Sequence, residues 1–173
     1  LDSSAVAGID TEGGVWRARL ALGATMIQIR EEGRAVSLSF DGSSDVWVID
    51  ADEGLIAVSP DGTSRPVSVE GLSGRTQLRS PVPSRDGTRA ALIVQRGPRT
   101  EVLLARIDRT TLSPSGLRVE APVRVESRLA EVVDVAWSGA DSLLVLGSES
   151  AGSLQAFEID LARGVTVPVG APE

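Results

Sequence analysis

Short runs of Val, Leu, Ile and Ala are separated by Gly-, Pro-, Ser- and Asp-rich breaks along the whole chain, and few windows repeat apolar residues at helical spacing. Runs of four to eight β-favouring residues between turn signals read as strands. The pattern predicts strands in pairs across a tight turn: Ala35–Phe40 with Val46–Asp50, Gln77–Val82 with Ala90–Gln95, and Val132–Trp137 with Ser142–Gly147. Two further strands follow each pair: Gly54–Ser59 and Arg65–Val69, Glu101–Asp108 and Leu117–Val125, and Ser153–Asp160 and Val165–Val169. Upstream, Ser4–Ile9, Val15–Leu20 and Thr25–Arg30 read as the last three strands of a unit whose first strand is missing. The best helical candidate, Glu126–Val133, has no capping box and enters a strand, so it is read as a loop.

The turns make the pattern a repeat. Ser39-Phe40-Asp41-Gly42, Ser59-Pro60-Asp61-Gly62 and Ser84-Arg85-Asp86-Gly87 share Ser-x-Asp-Gly, with a degenerate copy at Ser138-Gly139-Ala140-Asp141. Asp-Gly suits a tight hairpin because Gly takes positive φ without a Cβ clash and Asp tolerates it. The turns that join first to second strands begin at Ser39, Ser84 and Ser138, 45 and 54 residues apart. About 40–50 residues is the length of a four-stranded propeller blade. The expected fold is therefore all-β, a β-propeller fragment of about three and a half four-stranded antiparallel blades. A single domain, residues 1–173, is divided into blades at approximately 1–30 (incomplete), 35–70, 76–125 and 131–170. An open stack of this kind leaves strand edges and apolar blade faces uncovered, so self-association is expected unless further chain covers them.

Composition narrows the chemistry. The chain has no Cys and no His, and all 17 basic residues are Arg. Disulfides, zinc–thiolate sites, thiol nucleophiles and the usual neutral-pH general base are excluded together. Without His or Lys, neither the Ser–His nor the Ser–Lys form of nucleophilic catalysis can be assembled. The net charge of −7 disfavours a polyphosphate partner, so no nucleic acid is expected. There is no apolar run long enough to span a bilayer, and the first residues carry no export signal.

The second and third complete units also carry a family resemblance. Ser84-Arg85-Asp86-Gly87-Thr88-Arg89-Ala90-Ala91-Leu92-Ile93-Val94, and then Val133-Asp134-Val135-Ala136-Trp137-Ser138 with Asp141-Ser142-Leu143-Leu144-Val145, resemble the corresponding segments of the LpqB family of actinobacterial cell-envelope lipoproteins. The resemblance is clear over Gln77–Asp160. It implies a propeller-like domain, a lipid-anchored Cys and a second domain upstream, and an extracytoplasmic location on the cell membrane. It also implies association with the extracellular domain of the sensor kinase of the MtrAB two-component system, with membrane contact only through a lipid anchor outside this chain.

The expected function is non-catalytic protein binding, with no cofactor and no metal. The loops that join second to third strands and one blade to the next carry Asp52, Glu53, Arg96, Arg99, Glu149, Glu31, Glu32, Arg34, Arg75 and Arg128. From these, Arg34, Arg75, Arg96, Arg99 and Arg128 are candidate partner contacts, because a guanidinium binds carboxylates through two parallel hydrogen bonds and its stem covers apolar area. Trp16 joins them as the tryptophan with the best claim to a partner surface, on the incomplete blade, with packing as the favoured reading. Trp47 and Trp137 are read as blade-to-blade filler. The acidic group Asp41, Asp45, Asp50, Asp52 and Glu53 lacks a calcium-loop pattern and is read as turn chemistry. Two other functions stay open: a propeller hydrolase using paired carboxylates, and an architectural spacer.

Overall fold

The computed structural model describes all residues except 1–4, 22, 32, 42–43, 73–77, 110–116, 126, 151–152 and 171–173. Fifteen strands and no helix are found among the described residues. Blade 1 holds β1 (Ala5–Ile9), β2 (Val15–Arg19) and β3 (Ile27–Arg30). Blade 2 holds β4 (Ala35–Phe40), β5 (Val46–Asp50), β6 (Gly54–Val58) and β7 (Ser64–Val69). Blade 3 is β8 (Leu78–Pro83), β9 (Arg89–Arg96), β10 (Arg99–Asp108) and β11 (Leu117–Arg124). Blade 4 is β12 (Glu131–Trp137), β13 (Ser142–Ser148), β14 (Gln155–Asp160) and β15 (Val165–Pro168). Within each blade, successive strands pair antiparallel in chain order.

The first strands of blades 2, 3 and 4 lie side by side on the inside of the stack. Each second strand also touches the next blade's first: β5 lies against β8 and β9 against β12. β1 stands against β4 in the same way, so blade 1 holds the second, third and fourth positions. Its β1–β2 turn repeats the β5–β6 turn of blade 2. Ile9-Asp10 and Ile49-Asp50 both end a strand, and each Asp Oδ1 accepts two N–H groups of its own turn, from Glu12 and Gly14 and from Asp52 and Glu53.

Three apolar clusters glue the blades. Between blades 1 and 2, Val15 and Ile29 meet Val46, Val48, Ile56 and Val58. Between blades 2 and 3, Trp47, Ile49, Leu55 and Val67 meet Ala90, Leu92, Val94 and Leu103. Between blades 3 and 4, Ala91, Ile93 and Val102 meet Val135, Leu143, Val145, Phe157 and Ile159. Central strands are apolar on both faces because each blade is a filling between two neighbours; every residue of β5 and β6 is buried. Small Ala90 and Ala91 on blade 3 leave room for bulky Trp47 and Phe157.

Two features depart from plain stacked leaves. The outer strands of blades 2 and 3 pair in parallel, Leu117 with Val67, Arg118 with Ser68 and Val119 with Val69. That seam joins the two blades into one eight-stranded sheet, ordered β4-β5-β6-β7-β11-β10-β9-β8, folded around its own core. Second, the inner strands are all bulged near their start, between Ala35 and Ser37, Leu78 and Ser80, and Val132 and Asp134. A bulge re-aims one side chain. Here Val36, Arg79 and Val133 are turned out to solvent.

Candidate functional site

Alternating strand direction sorts the loops into two ends. The β1–β2, β5–β6, β9–β10 and β13–β14 turns share one end with the links β3–β4, β7–β8 and β11–β12. Contacts across this end confirm the grouping: Ala51 N–H donates to the Arg34 carbonyl at 3.1 Å, and Ala130 N–H to the Ser148 carbonyl at 2.8 Å. The opposite end carries the Ser-x-Asp-Gly turns.

Arg34, Arg96, Arg99 and Arg128 all fall on the first end. Arg34 sits in the β3–β4 link, where its N–H donates to Asp50 Oδ2 at 2.8 Å. Gly13 packs beneath it at φ +85°, so close that a Cβ would stand 2.6 Å from the Gly33 carbonyl oxygen. Arg96 and Arg99 flank the β9–β10 turn. Arg96 pairs with Glu101 at 3.2 Å, and Arg128 with Glu149 at 2.6 Å. Arg34 and Arg99 are exposed and form no ion pair with a described residue. Arg75 lies outside the described residues, as does Glu32.

Trp16, the second residue of β2, lies at the same end but on the face of blade 1 turned away from blade 2. Its indole N–H donates to Asp10 Oδ2 at 2.6 Å. The ring is half-buried, beside exposed Val6 of the same face. Sequence reasoning missed Arg79, which the β8 bulge turns outward at the start of an inner strand, with no ion pair to a described residue. The signal lay in aligning the three first strands, where Val36, Arg79 and Val133 take equivalent places.

The carboxylates divide into structural caps. Asp50 is buried and accepts the N–H groups of Asp52, Glu53 and Arg34. Burial works against its charge, but those amides and the Arg30 guanidinium hold its pKa below the ordinary value. The Asp10 pKa is lowered by the Trp16 indole and the Gly14 amide. Asp61 is lowered by the Thr63 amide and hydroxyl. Asp86 is lowered to about 2, first by the Ser84 hydroxyl and then by Thr88. Each of these shifts favours the ionised form, the opposite of what a carboxylic general acid needs. Of the acidic group singled out in the sequence, Asp41 and Asp45 lie at one end of β5, and Asp50, Asp52 and Glu53 at the other. Asp41 Oδ2 accepts from Trp47 Nε1 at 3.0 Å and from Arg109 at 2.7 Å, while Asp45 accepts from Ser59 and Arg65. No group of three or more acidic residues placed to hold a metal ion occurs among the described residues.

Trp137 fills the joint between blades 3 and 4. Its indole N–H donates to the Val82 carbonyl at 2.9 Å, and the Arg89 guanidinium stacks 5.1 Å from its ring centre. Arg89 also bonds to Asp141 and to the Ala140 carbonyl. Arg17 over Phe40 repeats the stacking between blades 1 and 2 at 5.9 Å.

A family model described as the lipoprotein LpqB β-propeller domain matches residues 2–172. The chain belongs to the LpqB β-propeller family. Lipoprotein LpqB of Streptomyces avermitilis is 32% identical over 133 residues, covering 72% of this chain and 21% of the relative. The chain thus spans about a fifth of the length of that curated LpqB protein. Among solved structures, a puromycin-hydrolyzing peptidase of Mycobacterium tuberculosis superposes with TM-score 0.64 at 18% identity, over 98% of this chain and 30% of that one. A chain of a nidogen–laminin complex gives TM-score 0.60 at 16% identity, over 97% and 61%. Likeness at that identity shows the propeller fold that LpqB domains share with a peptidase and with a chain of a nidogen–laminin complex, and nothing of chemistry.

Proposed function

We propose that this LpqB-type domain is a non-catalytic protein-binding module, held outside the cell by the lipid anchor of a longer lipoprotein. Its partner is the extracellular domain of a two-component sensor kinase. The observation that carries the reading is the loop end itself, where Arg34, Arg79 and Arg99 stand exposed without a described carboxylate partner on a chain of net charge −7. Arginine left unpaired on an acidic protein is available to an acidic partner surface. Binding alters signalling only to the extent that it favours one kinase conformation over the other.

The test is capture of this chain by an immobilised kinase ectodomain, with Arg34→Glu, Arg79→Glu and Arg99→Glu combined. Wild-type binding that weakens about tenfold or more in the triple variant supports the reading. Failure of both this chain and the longer lipoprotein to bind refutes it. The hydrolase reading has no carboxylate of raised pKa to support it among the four whose acidity is shifted. The spacer reading predicts unchanged signalling on deletion of the domain at equal protein level.

A second surface is apolar. Leu144, Leu146, Val165 and Val167 are exposed together on the outer face of blade 4. Self-association through this face is read by light scattering, and Leu144→Glu is expected to abolish it.

A further inference from the structure

The β2–β3 hairpin lies at the end opposite the candidate partner loops. Leu20, Met26 and Ile27 are exposed there, at 64%, 55% and 63%. They crowd into one hairpin, turned by the backbone bonds Ala21 N–H to Arg19 and Ala24 N–H to Ala21. The exposure of Ile27 is not a consequence of the uncovered face of blade 1. Ile27 pairs with Arg17, whose guanidinium reaches Phe40 of blade 2, so Ile27 projects toward the neighbour that is present.

Beside the hairpin is a cleft of about 330 Å³ lined by Arg17, Arg19, Ala24, Ile27, Ile29 and Pro60, with Ala18. It has two cations in its wall and no carboxylate. Arg17 and Arg19 alternate along β2, so they share a face. Neither makes an ion pair with a described residue, and the Arg17 Nε is buried without a hydrogen-bond partner. Asp61, next to Pro60, spends its carboxylate on the Thr63 amide of its own turn.

An apolar hairpin flanked by uncompensated arginines matches the two layers of an anionic bilayer surface, acyl chains below and phosphates at the arginine level. The protein as a whole is acidic, so such a surface would repel it everywhere except where cations stand free of carboxylates. We infer that the β2–β3 hairpin docks on an anionic lipid surface, with Leu20, Met26 and Ile27 entering the interface and Arg17 and Arg19 taking lipid phosphates. This contact is additional to any lipid anchor and independent of the kinase reading. It faces the propeller's partner loops away from the membrane.

The absence of Cys allows a clean test. Met26→Cys and, at the far end, Ser153→Cys are each labelled with an environment-sensitive fluorophore and mixed with vesicles of phosphatidylglycerol and phosphatidylcholine, or of phosphatidylcholine alone. The expected result is a blue shift at position 26, only with phosphatidylglycerol, and none at 153. Sedimentation with the same vesicles should fall about tenfold in Arg19→Glu and in Leu20→Ser/Ile27→Ser. Soluble glycerophosphate at millimolar concentration should not compete, because a free headgroup lacks the apolar half of the contact. Equal binding to pure phosphatidylcholine, no binding to either vesicle, or binding unaffected by both variants overturns the inference. A concentration-dependent dimer abolished by the same substitutions, with no vesicle binding, assigns the hairpin to a second copy and overturns it as well.

Discussion

Arg109, just past the end of β10 in blade 3, places its Nη2 2.7 Å from Oδ2 of Asp41 in the first turn of blade 2. The same oxygen receives the Trp47 indole, and the Arg109 Nε donates to the Gly87 carbonyl at 3.1 Å. One carboxylate, fully covered, therefore ties a hairpin, a core tryptophan and the neighbouring blade. Removing it takes the acceptor from the buried Trp47 N–H and the ion-pair partner from the Arg109 Nη2. Asp41→Ala is expected to cost about 3 kcal/mol or more, and Asp41→Asn distinctly less because the amide oxygen still accepts from Trp47. Urea midpoints of the two variants check this, and equal losses would refute the contribution assigned to the Trp47 hydrogen bond.

Trp137 and Arg89 separate a hydrogen bond from a stacked cation. Trp137→Phe removes the indole N–H from the Val82 carbonyl but keeps a ring under the guanidinium, with an expected cost of about 1–2 kcal/mol. Trp137→Ala removes both and opens the joint, for about 3–5 kcal/mol. A double-mutant cycle with Arg89→Ala reads the coupling; zero coupling would show that the stacking contributes nothing to the joint.

Gly13 is required by its conformation and by its neighbour. At φ +85°, with the Gly33 carbonyl oxygen 2.6 Å from where a Cβ would sit, Gly13→Ala must shift the link that carries Arg34. The expected cost is about 1–3 kcal/mol. Ala at Gly97, which has positive φ but no atom within 4 Å, should cost less. Thermal melts of the two variants compare them directly.

Acid should weaken the turns in a defined window. Asp86 titrates near 2 when folded against an ordinary value near 4, so the folded form holds fewer protons between the two. Its contribution is complete above about pH 4 and disappears as pH falls toward 2. The Asp10, Asp50 and Asp61 shifts act in the same direction. Denaturation midpoints measured from pH 6 to pH 2 should fall most steeply over the last two units, and Asp86→Asn should flatten the slope. A midpoint independent of pH in that range would contradict the assigned hydrogen bonds.

Local pattern carried most of this architecture. β4 and β5 begin and end where alternation and the Asp-Gly turn put them, because a hairpin's register is set within its own dozen residues. The parallel seam between β7 and β11 had no such signal. Val67 and Val119 look like any outer-strand residues, and their pairing depends on how two distant blades converge. The candidate site shows the same division. That Arg34, Arg96, Arg99 and Arg128 share an end follows from counting strands. Which of them stay unpaired depends on Glu101 and Glu149 reaching across turns, a matter of side-chain packing. Arg79 was hidden by a bulge that a strand pattern does not announce.

The seam has a mechanical corollary. Since β7 and β11 bond to each other, strands β4 to β11 form one hydrogen-bonded sheet, whereas blades 1 and 4 are held to it by side chains and single hydrogen bonds. Tension applied across the chain would shed the two flanking leaves one by one and leave a two-leaf kernel standing, which would then yield in a single step.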